Sequence, residues 1–257
     1  LNELEFALTK VGCSALVTAT EFKTSNYMEM IVTLAPELAR SAPGELKAAK
    51  LPKLRTVIQI GGPKQPGTIA FDDVAGMGRD RHREQLGALA NSLQFDDPIN
   101  IQFTSGTTGS PKGVTLTHHN ILNNGYFVGR AMALNEKDRM CIPVPLYHCF
   151  GMVMGNLTAV THGCAMVYPG EGFDPLVTLT TIEQEKCTSL YGVPTMFIAE
   201  LEHPEFSRFN LSSLRTGIMA GAPCPIEVMR RTIEKMNMRE VTIAYGMTET
   251  SPVSFQT

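Results

Sequence analysis

The chain has no closely paired cysteines, no long apolar run, no strong excess of charge of either sign and no internal repeat, and each absence removes a class of protein. Its six cysteines, Cys13, Cys141, Cys149, Cys164, Cys187 and Cys224, are scattered over 257 residues without a CxxC pair. A chain this long does not depend on disulfide staples, so a reducing compartment is the simpler reading. No apolar stretch approaches the roughly 20 residues needed to cross a bilayer. The opening LNELEFALTKVGCSALV lacks the basic start and apolar core of a signal peptide. A soluble chain is expected, in the cytoplasm or, for a eukaryotic parent, in the mitochondrial matrix. Lysine and arginine number 22 against 25 aspartate and glutamate, a formal net charge of -3. That balance gives no broad attraction for nucleic acid or anionic lipid, so an anionic ligand must be held locally. Without a fixed-period repeat or a low-complexity tract, a solenoid, a propeller or a linker-dominated interaction protein is excluded.

What is present is a hydrophobic fraction of 43%, enough for a substantial core. Apolar β-type runs recur at CSALVTA, RTVIQIGG, INIQFTS, AMVYPG, TSLYGV, TGIMAG and VTIAYG. The longer segments between them often carry helical periodicity, and such alternation predicts an α/β architecture. Helices are expected over HHNILNNGYFVGRAMAL after Thr117, from Cys149 through Val160, and over PIEVMRRTIEKM. In the last of these, Ile226, Met229, Ile233 and Met236 fall at three-to-four spacing. The stretch from Gly61 to Asp97, with GGPKQPG, RDRHRE and a helical QLGALANSL, reads as a surface excursion.

The most informative stretch is TSGTTGSPKGV, Thr104 to Val114, directly after the strand-like INIQF. Glycines let backbone N–H groups approach an anion closely, hydroxyls add donors, and Lys112 contributes a compact positive charge. The composition suits a polyphosphate. A plain Ser/Gly turn seldom combines these features. A Walker A loop needs glycine directly before its lysine and Ser or Thr directly after, whereas Pro111 precedes Lys112 and Gly113 follows it.

TSGTTGSPKG closely resembles the signature of adenylate-forming enzymes, which include acyl-CoA ligases, luciferases and peptide-synthetase adenylation domains. YGMTETSP, Tyr245 to Pro252, resembles a second segment of that family, and AGAPC, Ala220 to Cys224, its adenine-side loop. The resemblance implies ATP/AMP binding by Thr104, Ser105, Gly106, Thr107, Thr108, Gly109, Ser110, Pro111 and Lys112. It adds Gly221, Ala222 and Pro223 on the adenine side, with Tyr245 stacked on the base beside Gly246 and Met247. Thr248 would hydrogen-bond the α-phosphate and Glu249 would be the Mg2+ ligand, so Lys112, Thr248 and Glu249 carry the catalytic roles. The fold implied is α/β, layered sheets flanked by helices. The chain would be part of the large N-terminal domain, with about 1–97 a first subdomain portion and 98–257 the nucleotide- and acyl-binding portion.

PLYHCFG matches the family's aromatic segment beside the carboxylate substrate. Tyr147 belongs to that segment, and His148, Phe150, Val193 and Met247 are the expected acyl contacts. Amino-acid-activating relatives place an aspartate in this neighbourhood; YHCFG and the following GMVMGNL have none, so an acid uncharged beyond its carboxylate is expected. Met152, Met154 and Met196 are further adaptable apolar candidates. With YGVPTMF and PEFS, the sequence is similar to medium-chain acyl-CoA synthetases, particularly the family member 2 group. The implied reaction converts a fatty acid and ATP to acyl-AMP and pyrophosphate, then transfers the acyl group to coenzyme A. An aryl-acid or other carboxylate ligase of the same superfamily, and a noncatalytic nucleotide-binding module, stay open. The family's TGD ribose segment, hinge and mobile C-terminal domain do not occur before Thr257, and its phosphate loop normally lies deeper in the chain. A truncated core that binds nucleotide weakly and turns over little is therefore expected. Nothing in the sequence indicates an oligomeric state.

Overall fold

All seven β-type runs form strands in the computed structural model, which describes residues 1–104 and 111–257. The chain divides into two units, Leu1–Gln94 and Phe95–Thr257. In the first, helix α1 (Asn2–Lys10) leads into β1 (Ala15–Ala19), a small hairpin of β2 (Glu21–Phe22) and β3 (Ser25–Asn26), and α2 (Tyr27–Leu34). Asn26 caps α2 by accepting the Glu29 N–H at 2.9 Å, satisfying a donor that the first turn leaves open. Strands β4 (Thr56–Ile60) and β5 (Ile69–Ala70) complete a parallel sheet of order β1-β4-β5. Met28, Ile31 and Leu34 of α2 pack with Leu38, Leu54 and Val57 in one buried cluster. Each such side chain contributes about 1.5–3 kcal/mol by leaving water. The surface excursion contains β5, α3 (Phe71–Val74) and α4 (Asp80–Ser92). RDRHRE straddles the start of α4, and no residue of that helix is buried.

The second unit starts with an antiparallel pair, β6 (Pro98–Thr104) and β7 (Lys112–Thr117), followed by α5 (His118–Ala131). Thr117 and Asn120 form a reciprocal capping box at the start of α5, so strand and helix join without a loop. Next come β8 (Arg139–Cys141), a π-helix (Phe150–Leu157), α6 (Thr158–His162), β9 (Ala165–Val167) and α7 (Pro175–Glu185). Then β10 (Ser189–Gly192), α8 (Pro194–Leu201), β11 (Thr216–Ala220), α9 (Ile226–Lys235), β12 (Glu240–Gly246) and β13 (Val253–Gln256) close the chain. The sheet has the order β13-β12-β11-β10-β8-β9, parallel except for β13. Every residue of β10 and β11 is buried, as expected of central strands covered on both faces. Asp174 caps α7 by accepting the Val177 N–H at 2.9 Å, and Pro175 and Pro194 stand at the first turns of α7 and α8.

Two expectations need correction. The buried side of α9 is Val228 and Thr232, with Met236 just beyond the helix; Ile226 is 88% exposed. The stripe is rotated from the one read on aliphatic spacing, because a threonine occupies one of its buried positions. The phosphate segment also ends sooner than expected: Lys112 to Val114 are strand, and Thr104 and Lys112 are register partners across β6 and β7. The part of the loop on Ser105, Gly106, Thr107, Thr108, Gly109 and Ser110 lies outside the described residues.

At the N-terminal ends of four strands sits one ionic cluster. Asp138, 3% exposed, precedes β8 and accepts from Thr188 at 2.7 Å and Arg215 at 2.7 Å, while Arg215 also reaches Glu240 at 2.7 Å. Burial opposes ionisation of Asp138, but hydrogen bonds from Arg215, Thr188 and the Asn135 N–H together outweigh it and hold its pKa below the usual value. Glu200 on α8 is the contrary case, 1% exposed with Oε1 unpaired among the described residues. Burial pushes its pKa well up, which favours the neutral acid in the folded chain.

Two outcomes follow for stability. Arg215→Met, which leaves Asp138 buried without its cation, is expected to cost about 3–5 kcal/mol in denaturant unfolding at neutral pH. Because Asp138 has a lowered folded pKa, its contribution is present above the unfolded carboxylate pKa and lost as pH falls through the folded one; the deficit of the variant shrinks in acid. Glu200 has the opposite sign, since its raised folded pKa makes the protein lose stability as pH rises above the unfolded value. Glu200→Met is therefore expected to raise the melting temperature, by an increment that grows from pH 5 to pH 8.

Candidate functional site

Small residues at the ends of β11 and β12 open a cavity in the second unit. Ala220 ends β11 with Gly221 directly after it, Ala244 and Gly246 stand on either side of Tyr245 at the end of β12, and all are among the lining of a space of ≈ 610 Å³. Ligands in open α/β sheets bind at these carboxyl ends. Gly221 has φ 84°, in the left-handed region that favours glycine. Gly246 is required for a different reason: a Cβ there would lie 1.8 Å from the Pro252 carbonyl oxygen. That close approach belongs to a tight turn. The Met247 N–H donates to Pro252 O at 3.0 Å, and the Thr250 hydroxyl donates to Pro252 O at 2.6 Å while accepting the Met247 N–H at 3.2 Å. The turn carries Thr248 and Glu249 into the cavity lining.

A second wall comes from β6 and β7, through Thr104 and Lys112. A third comes from Tyr147 to Phe150 and from Met154, on and before the π-helix. Phe150 and Met154 also belong to the buried core with Val144 and Tyr191, and the Phe150 and Tyr191 rings stand 5.9 Å apart. The cavity therefore has an apolar wall that is the outer face of the hydrophobic core, opposed to a polar rim of hydroxyls, one ammonium and one carboxylate. Lys112 and Glu249 are exposed and form no ion pair with each other.

His148 has a defined role in this geometry. Its Nδ1 accepts the Phe150 N–H at 3.0 Å, which leaves the ring proton on Nε2. Burial lowers its pKa below the ordinary histidine value, so the ring is a neutral Nε2–H donor rather than a cation at pH 7. Cys149 is 2% exposed, with Sγ 3.8 Å from the Thr248 hydroxyl and 3.9 Å from His148 Nδ1. Burial raises its pKa, so the thiol is protonated and a poor nucleophile. Tyr245 is 63% exposed, its ring 6.4 Å from that of Phe255.

The structure thus brings together in one lining Thr104, Lys112, His148, Phe150, Gly221, Tyr245, Gly246, Met247, Thr248 and Glu249. Pro111, Ala222 and Pro223 are not among the lining residues. Val193 packs in the partly buried layer against the core, where its Cγ1 lies 3.1 Å from the position of a Cβ on Gly221. Met196 is buried in that core, and Met152 packs in a separate cluster with Leu116 and Val153. Gln102, Cys149, Ala244 and Val253 are lining residues that no motif reading identified. Period-two alternation along INIQFT was the available signal for Gln102, which shares a side of β6 with Thr104.

The sequence profile of the AMP-binding enzyme family matches residues 1–257. The chain belongs to that family. Among AMP-binding relatives, the mitochondrial medium-chain acyl-CoA ligase ACSF2 of Danio rerio is 49% identical over 257 residues, covering 99% of this chain and 42% of that protein. Its Homo sapiens counterpart is 45% identical over 258 residues, covering 98% of this chain and 42% of its own length. The chain thus spans less than half the length of the curated relatives it matches. A solved AMP-binding fold, the anthranilate CoA ligase AuaEII in complex with anthranoyl-AMP, superposes with TM-score 0.80 at 22% identity, covering 99% of this chain and 45% of that one. The mixed α/β layers with parallel sheets flanked by helices are those of the family's N-terminal domains.

The tight turn gives a direct test of the geometry. Gly246→Ala forces Pro252 away from β12 and is expected to cost about 1–3 kcal/mol, measured as a lowered unfolding midpoint, whereas Gly76→Ala, at a site where a Cβ meets nothing within 4 Å, is expected to leave it unchanged.

Proposed function

We propose that this chain is the nucleotide- and acid-binding portion of an AMP-forming acyl-CoA ligase whose substrate is a medium-chain fatty acid. One observation carries the reading: Lys112, Thr248 and Glu249 line the same cavity as the apolar wall of Phe150, Met154 and Ala244. A polyphosphate fits the first set and an alkyl chain the second. Identity of 45–49% to medium-chain acyl-CoA ligases supports the choice of acid, and among the described residues the lining has no carboxylate besides Glu249 that would pair a substrate ammonium. An aryl-acid ligase of the same superfamily is the second reading, favoured by the aromatic rings of Tyr147 and Phe150 in the lining.

In the proposed reaction the fatty-acid carboxylate oxygen attacks the α-phosphorus of ATP, the bond to the β-phosphate breaks, and pyrophosphate leaves with acyl-AMP formed. The thiol of coenzyme A then attacks the acyl carbonyl and AMP departs. Lys112 offsets phosphate charge, the Thr248 hydroxyl donates to the α-phosphate, Tyr245 stacks on adenine beside Gly221, and His148 donates from Nε2 toward the acid. Ser105 to Ser110 complete the phosphate loop in this reading. Positioning of reactants in such a site supplies on the order of 7–11 kcal/mol, and no protein nucleophile is needed, consistent with the protonated Cys149.

Glu249 would hold the Mg2+ that accompanies ATP in this reading. Among the described residues there is no cluster of three or more His, Cys, Asp or Glu that would hold a metal alone, while Glu249 is an exposed carboxylate beside Thr248. One carboxylate with phosphate oxygens and water fits this ion, which when bound neutralises phosphate charge. Residues 98–257 form the nucleotide- and acyl-binding portion of the parent protein in this proposal, and about 1–97 a first subdomain portion. A reducing compartment, the cytoplasm or a mitochondrial matrix, fits six free thiols and the mitochondrial relatives. No helix among the described residues is long and apolar enough to cross a membrane.

The experiment is acid-dependent pyrophosphate release by the complete parent protein with medium-chain, aryl and amino acids, with and without coenzyme A. Medium-chain acids are expected to stimulate release and yield acyl-CoA; Lys112→Ala and Glu249→Ala are each expected to lower the rate about 10²–10³-fold. Stimulation by aryl acids alone would favour the second reading, and release by no acid despite ATP binding would overturn both.

A further inference from the structure

The turn that carries Thr248 and Glu249 is held by a residue outside every motif. Asn124 lies on α5, half-buried. Its Nδ2–H donates to Val253 O at 2.9 Å and its Oδ1 accepts the Val253 N–H at 3.1 Å. A weaker contact joins Nδ2 to Thr250 O at 3.5 Å. The side-chain amide thus engages both polar groups of one peptide residue, as a neighbouring strand would. Val253 begins β13, directly after the Met247–Pro252 turn.

What makes this more than a local bond is where α5 is anchored. Its first residue follows β7, whose first residue is Lys112, and the Thr117–Asn120 box makes the junction stiff. One residue beyond Asn124, Gly125 lies so close to the π-helix and α6 that a Cβ would meet Leu157 Cβ and Thr158 N at 3.1 Å. The Thr158 hydroxyl donates to Gly125 O at 2.9 Å. One turn on, a Cβ at Gly129 would lie 2.4 Å from His162. Helix α5 is therefore the common mount of two cavity walls: the Lys112 strand continues into it, and the π-helix bearing Phe150 and Met154 packs on it. Asn124 fastens the third wall to the same mount.

We infer that Asn124 is a positioning residue, which sets the place of Thr248 and Glu249 relative to Lys112 through its paired hydrogen bonds to Val253. Its bearing on catalysis rests on the proposed ligase reading; the clamp itself does not. Asn124→Ala removes both bonds. Asn124→Asp is isosteric, keeps an acceptor for the Val253 N–H, and sets a carboxylate oxygen against the Val253 carbonyl, so it separates amide pairing from the filling of space.

The test has two arms. In nucleotide-free chain, amide hydrogen exchange is measured for wild type and both variants. Exchange about tenfold faster at Met247, Thr250 and Val253, with the β10 and β11 amides unchanged, is the expected result for Ala and for Asp. Unchanged protection in this segment, or an Asp variant that behaves as wild type, overturns the clamp. In the complete parent protein, kcat/KM for ATP is expected to fall about tenfold in both variants with KM for the fatty acid unchanged. Faster exchange with unaltered ATP kinetics overturns the positioning role. If wild type releases no pyrophosphate with any acid, the ligase reading fails while the exchange arm still decides the clamp.

Discussion

The cavity depends on one constraint, the burial of β10 and β11 on both faces. Strands covered on both sides cannot slip in register without exposing apolar side chains or breaking ladder bonds. Their starts are further tied by Asp138, Thr188, Arg215 and Glu240. With one end of the sheet held by charge and its middle by packing, the other end is left to small residues on either side of the exposed Tyr245. Ala220, Gly221, Ala244 and Gly246 stand there, and the space they leave is where the candidate chemistry lies.

Packing and polarity are divided in the same way across the second unit. The core supplies the apolar wall, so Phe150 and Met154 serve stability and shape at once. The polar rim is built from the start of β7, the turn after β12 and the segment before the π-helix. Such segments need explicit hydrogen bonds to hold their geometry. The Thr250 hydroxyl inside the turn, the Phe150 N–H on His148 and the Asn124 amide on Val253 are those bonds. The wider winding of the π-helix coincides with the cavity wall, as such helices often do at functional sites.

Buried ionisable groups appear in two forms here, and they are energetically distinct. Asp138 is buried with a full set of donors and stays charged. Glu200 is buried with its Oε1 unpaired among the described residues, and burial favours its protonated form. Burial raises the pKa of both carboxyls, and only at Asp138 do hydrogen-bond donors outweigh it.

Much of this was legible in the sequence, and the reason is local. Seven β-type runs, the Thr117 helix start and the glycine- and hydroxyl-rich composition of TSGTTGSPKG are set by side chains within a few residues of one another, so spacing and propensity reveal them. The short β8 and β13 and the strand character of Lys112 to Val114 escaped, because such segments become strands only through partners distant in the chain. The rotated face of α9 escaped for the same reason, since burial of Thr232 is imposed by what packs over it. The sequence determined an α/β chain with the side chains of the family's nucleotide motifs. Only the tertiary structure decided that Thr104, Lys112, His148 and Glu249 share one cavity, that Pro111, Ala222 and Pro223 are not in its lining, and that Asn124, a residue without a motif, joins its walls. Hydrogen bonds across more than a hundred residues leave no periodicity to read.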